Sequence, residues 1–159
     1  MIDPYLLAKW LHILSATVLF GTGIGTAFQM VWVMWRGDPV QVQGVAAGVV
    51  VADWLFTTPA GIVQPATGLW LVWLAGYPLT APWLVVTYAL YAVAFACWVP
   101  VVRLQIRIRD LAREAAAAGA PLPPEARAAY RLWFALGWPA FAALLVVFWL
   151  MVTRPPLWG

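Results

Sequence analysis

Residues 4–34 carry one lysine, Lys9, one histidine, His12, and neither an acid nor an arginine. About 20 apolar residues span a bilayer, and in lipid every backbone N–H and C=O must be bonded within the segment. A stretch this long therefore crosses as a helix. Three further runs have the same character: residues 45–74, 82–102 and about 132–152. The pattern predicts an all-α integral membrane four-helix bundle, one transmembrane domain over residues 1–159. Composition agrees, with 65% hydrophobic residues and only 9% charged, against roughly 25% charged in soluble domains. No basic stretch precedes the first run, which is too long for a signal-peptide core, so it is expected to remain in the mature protein.

Breakers divide the runs. Arg36-Gly-Asp-Pro ends the first helix, which is long enough to tilt or project. Gly21 and Gly25 form a GxxxG pair that allows close approach of another helix. The second helix is expected to be kinked. Pro59 and Pro65 each lack a backbone donor, which leaves the Leu55 and Gly61 carbonyls without helical partners. The third run continues past Val102 as an arginine-rich helix in water to about residue 118, before Gly119-Ala-Pro-Leu-Pro-Pro. The fourth starts near Glu125, is kinked at Pro139 and stops at Arg154-Pro-Pro.

Charge sets the expected orientation. Arg36, Arg103, Arg107, Arg109, Arg113, Arg127 and Arg131 fall on one side, and only Lys9 and Arg154 on the other. The positive-inside rule makes the rich side cytoplasmic and leaves both termini outside. The net charge of +3 thus reports topology and points to a lipid bilayer as partner, not to nucleic acid. Trp10, Trp70, Trp73, Trp83 and Trp149 fall toward one boundary, and Trp32, Trp35, Trp54, Trp98 and Trp133 toward the other, as interfacial belts. The lone Cys97 lies in a span and excludes an internal disulfide or a thiolate cluster.

Two polar clusters follow from counting depth along the helices. The outer one has Lys9 above His12, with Gln64, Thr67 and Gly68 of the second helix, Thr87, Tyr88 and Tyr91 of the third, and Trp149 and Met151 of the fourth. On the first helix, Tyr5, Lys9, His12, Ala16, Leu19, Gly23, Thr26 and Met30 share one face, small and polar enough to line a bundle interior. A neutral imidazole is a good ligand for haem iron or copper. His12 is the candidate iron ligand, Lys9 the partner of a haem propionate, Met151 a sixth ligand, and Gln64 a neighbour across the gap at Pro65. Met30, Lys9, a tyrosine or water are alternative sixth ligands, and a hydrogen-bonded structural histidine is the plain alternative. The inner cluster holds Thr26, Gln29, Asp53, Arg103, Gln105, Tyr130 and Arg131. There Asp53 and Arg103, at equal depth, are expected to form an ion pair, because an unpaired carboxylate in lipid costs several kcal/mol.

The segments Tyr5-Leu-Leu-Ala-Lys-Trp-Leu-His-Ile-Leu-Ser-Ala, Asp53-Trp-Leu-Phe-Thr-Thr-Pro, Gln64-Pro-Ala-Thr-Gly and Trp133-Phe-Ala-Leu-Gly-Trp-Pro-Ala-Phe resemble an uncharacterised family of bacterial predicted integral membrane proteins. That resemblance spans nearly the whole chain; it implies four helices and brings no activity. Tyr5, Lys9 and His12-Ile13 also resemble the opening of the four-helix membrane protoporphyrinogen oxidases and of related copper-resistance membrane proteins. In the oxidases the matching histidine carries b-type haem, which implies the same cofactor at His12. The basic residue those oxidases hold in the membrane has no counterpart, since the third helix is uncharged before Arg103. Two functions are therefore expected as alternatives: a redox protein binding haem b at His12, or a non-enzymatic membrane subunit or transporter-like protein using the kinked second helix and Asp53. Either leaves room for a homodimer or a larger membrane complex.

Overall fold

Every span begins at a proline. The structure, a computed structural model, describes residues 2–158 and runs α1 (Pro4–Arg36), α2 (Pro39–Ala52), a π turn (Asp53–Thr57), α3 (Thr58–Leu74), α4 (Pro82–Ala117) and α5 (Pro124–Thr153). At the first helical position the missing N–H of proline costs nothing. Asp3 and Asp38 cap the first two starts, accepting from the N–H of Tyr5 at 2.9 Å and of Val40 at 3.0 Å. Gly37 closes α1 in the left-handed region at φ 74°, its N–H reaching the Val33 carbonyl at 2.9 Å. Only glycine adopts that conformation freely, and it lets the chain reverse within two residues.

The second span is one continuous run, Pro39–Leu74, and among the described residues four helices are long and apolar enough to cross a membrane. It begins at Pro39 rather than at 45, because Asp38 and Pro39 start a helix whose first turn already packs: Val42 is fully buried. The apolar rods associate in two pairs, α1 against α3 and α4 against α5, with α2 bridging to α4. In lipid such pairing rests on close packing and interhelical hydrogen bonds, because tails are as apolar as the helices.

Two cores hold the ends. At the arginine-rich end Met30, Val33 and Met34 of α1 interlock with Val42, Ala46 and Val49 of α2, Ile108 and Ala112 of α4, and Ala126, Ala129 and Trp133 of α5. At the end with the termini, Val72, Ala81, Trp83, Leu84 and Leu150 pack together, and Met151 lies against them. Arg154 ties this end: its guanidinium donates to the Tyr77 hydroxyl at 2.5 Å and lies 5.3 Å from the Tyr77 ring centre. Between the cores Phe20 of α1 stacks on Phe141 and meets Phe148 edge-on, both at 5.2 Å. Large apolar side chains such as Trp35, Trp73 and Val152 face outward, as lipid-facing residues do. Trp83 and Trp133 are exceptions to the belts, being buried in the two cores. Gly21 and Gly25 are exposed and touch no second helix.

Candidate functional site

His12 meets α3 through both ring nitrogens. Nδ1 lies 3.0 Å from Thr67 Oγ1, and Nε2 lies 3.1 Å from the Gln64 side-chain nitrogen. Donor counting fixes the roles. The Thr67 hydroxyl donates to the Val63 carbonyl at 2.7 Å, so it accepts from Nδ1–H. Gln64 Nε2 donates to the lone pair on His12 Nε2, and the Ser15 hydroxyl reaches Gln64 Oε1 and, at 3.0 Å, the His12 carbonyl. The result is a chain of satisfied groups from Ser15 to Val63 around a neutral imidazole. Gly68 gives the ring its seat, since a Cβ there would stand 3.1 Å from His12 Cε1.

One turn deeper, Pro65 leaves the Gly61 carbonyl without an N–H, as expected, and the Tyr91 hydroxyl of α4 supplies the donor at 2.5 Å. Tyr91 thereby joins the two helix pairs. A void of about 20 Å³ lies beside Gln64 and Tyr91, enough for about one water.

Haem does not fit this arrangement. An iron ligand must offer a ring lone pair to open space, whereas His12 has Nδ1 on Thr67, Nε2 on Gln64 and its edge on Gly68. The other residues expected around the iron are elsewhere. Lys9 is exposed, with its ammonium 6.0 Å from the Tyr5 ring centre. Met151 packs in the core with Val72 and Leu150, and Trp149 faces outward. Of that outer group the structure unites only Gln64, Thr67 and Gly68 with His12; Ser15, three residues along the helix, is the member that depth counting missed.

The inner cluster is rearranged more. Asp53 opens the π turn, whose cause is local. Pro59 cannot donate to Leu55, and the ring needs room; widening the turn lets the N–H of Thr58 reach back five residues to the Asp53 carbonyl. The Thr58 hydroxyl bonds the same carbonyl at 2.8 Å. Asp53 is 5% exposed and stands within about 5 Å of the middle of its span, by the helical rise.

The Asp53–Arg103 ion pair is not formed. Gln105, 3% exposed, faces the interior; Arg103 is two residues away, about 200° around the helix, and is exposed. The ion pairs of the arginine-rich end are Arg109–Asp110 at 2.9 Å and Arg113–Asp110 at 3.5 Å. Asp53 has instead the side chains of Thr57, Gln105 and Trp98 around it, within interacting range. None closes a well-formed bond on Oδ2: Asp53 Oδ2, Thr57 Oγ1, Trp98 Nε1 and Gln105 Oε1 are all buried without a partner. Thr26 bonds its own helix at Thr22, Gln29 and Arg131 are exposed, and Tyr130 stacks on Trp133 at 5.8 Å. Trp98 and Thr57 were the missed members, and the Thr57-Thr58-Pro59 breaker was the available signal for Thr57. Among the described residues no three His, Cys, Asp or Glu side chains converge as a metal site.

These features define a four-span integral membrane protein with one saturated polar network and one unsatisfied polar site. The chain belongs to the family described as predicted integral membrane protein (DUF2269), which it matches over residues 6–155. No curated protein and no solved structure matches it.

Proposed function

We propose that this is a non-enzymatic, transporter-like protein of the bacterial inner membrane that takes up a small cationic species at Asp53. One observation carries the reading: a carboxyl group near mid-membrane whose Oδ2 is buried and unpaired, with the polar side chains of Thr57, Trp98 and Gln105 near it. A buried polar group in lipid is expensive unless partnered, and intramembrane acids without a structural partner mark proton and ion pathways. The π turn supports it, since such turns are frequent at functional sites and Pro59 makes this one a point of bending. The His12 network, with every member satisfied, is its structural counterpart.

Charge movement tests this. Purified protein in liposomes adsorbed on a solid-supported electrode should give transient currents on steps of pH, Na⁺ or K⁺, and D53N should abolish them. Equal currents in wild type and D53N, or none in either, would overturn the proposal.

A further inference from the structure

The arginines at the basic end of the bundle are not equally engaged. Arg109 and Arg113 hold Asp110 at 2.9 and 3.5 Å, and these are the ion pairs among the described residues. Arg36 lies over the Trp32 ring at 5.0 Å, and the Arg127 guanidinium rests beside Gly37, 3.5 Å from where a Cβ would stand. Arg103 and Arg107 are exposed and belong to neither ion pair. Four residues apart on α4, they share one face, with their Cβ atoms about 6 Å apart. The same face continues into the membrane through Ala96 and Ala92, both exposed.

Their depth makes this isolation unfavourable. α4 ends at Ala117 and α5 starts at Pro124, so the two helices pack as an antiparallel pair. Equal steps from that turn bring Arg107 level with Phe134 and Arg103 level with Trp138; the core shared by Ile108 and Ala112 with Ala129 and Trp133 has the same register. Phe134 and Trp138 are exposed, and exposed aromatic rings of this kind mark the boundary between hydrocarbon and headgroups. A guanidinium at that level needs an anion, and its long stem lets it reach the phosphate layer.

The carboxylates of this chain are engaged elsewhere. Asp38 caps α2, Asp110 is held by two arginines, and Asp53 is buried inside the bundle. Glu114 and Glu125 stand near the α4–α5 turn, and residues 13–35 and 132–153 contain no acid. What surrounds Arg103 and Arg107 is lipid headgroup, whose phosphate offers paired oxygens to the guanidinium fork.

We infer that Arg103 and Arg107 together hold the phosphate of an anionic phospholipid on the lipid-facing side of α4. Its acyl chains run along Ala96 and Ala92, where short side chains leave room. An anionic lipid is favoured over a zwitterionic one, whose phosphate already carries its own ammonium partner. The site is separate from Asp53 and does not depend on transport.

Electron spin resonance of spin-labelled lipids, with the purified protein in phosphatidylcholine bilayers, reads the site. The motionally restricted fraction should favour labelled phosphatidylglycerol over labelled phosphatidylcholine by about fivefold, the factor that one arginine contributes near an anionic surface. R103Q/R107Q should remove most of that preference, R103K/R107K should keep part of it, and R113Q should leave it unchanged. Equal restriction of the two labels by the wild type, which needs no variant, would overturn the site. A preference that survives in R103Q/R107Q would do the same, as would one that inorganic phosphate abolishes, since the ligand would then be a soluble anion.

Discussion

At the scale of residues, His12 and Asp53 are both polar groups in lipid, and their neighbours give them opposite characters. Each ring nitrogen of His12 has one complementary partner, so removing any member strands another. Gln64→Leu leaves His12 Nε2 without its donor and the Ser15 hydroxyl with the His12 carbonyl alone; interhelical hydrogen bonds in membranes are worth about 0.6 and up to about 1.7 kcal/mol. We expect Q64L to lower stability by about 1 kcal/mol, read as a lower Tm in detergent. Gly68→Ala should do likewise, since its Cβ would press on His12 Cε1 at 3.1 Å. A Soret band on adding haem to the wild type would show instead that the ring can leave Gln64 or Thr67. Much of this network was legible beforehand, because helical rise gives depth, and depth brought Gln64, Thr67 and Gly68 to the level of His12. Depth says nothing about direction around the axis. That is why Arg103 was paired with Asp53 although Gln105, two residues on, is the one that faces it.

At the scale of elements, the second span shows how two prolines are accommodated in different ways. Pro59 is met within the chain, by a π turn that widens the helix ahead of its ring, and Pro65 is met from outside, by Tyr91. Tyr91→Phe should cost about 1 kcal/mol, the value of one stranded buried carbonyl. Pro65→Ala restores an N–H for Gly61, so Y91F should cost less in the P65A background. A double-mutant cycle by thermal melting checks the coupling, and strictly additive effects would show that the Tyr91 bond does not serve that carbonyl. The orphaned carbonyls could be read from the prolines alone. The π turn could not, because a proline specifies a missing donor and not which neighbour replaces it; the extra residue in the turn also rotates everything after it.

At the scale of the molecule, four helices were legible because apolar length is a demand of the bilayer and needs no knowledge of packing. The way the helices pair was not legible, since lipid-facing and buried surfaces are equally apolar. The arginines gather at the end formed by the close of α1, the latter half of α4 and the start of α5. We expect cysteine labelling to find residues 109–127 protected from outside reagents and both termini accessible, by the positive-inside rule. The central claim is a division of labour, in which the His12 network holds the bundle and the Asp53 site serves function at some expense in stability. Its most direct measurement is the Tm of D53N beside that of Q64L. An Asn keeps the size of the side chain and removes the ionisable group from the membrane interior, so D53N should melt at or above wild type while Q64L melts below it. A fall in D53N as large as that in Q64L would make Asp53 a structural tie and contradict the account.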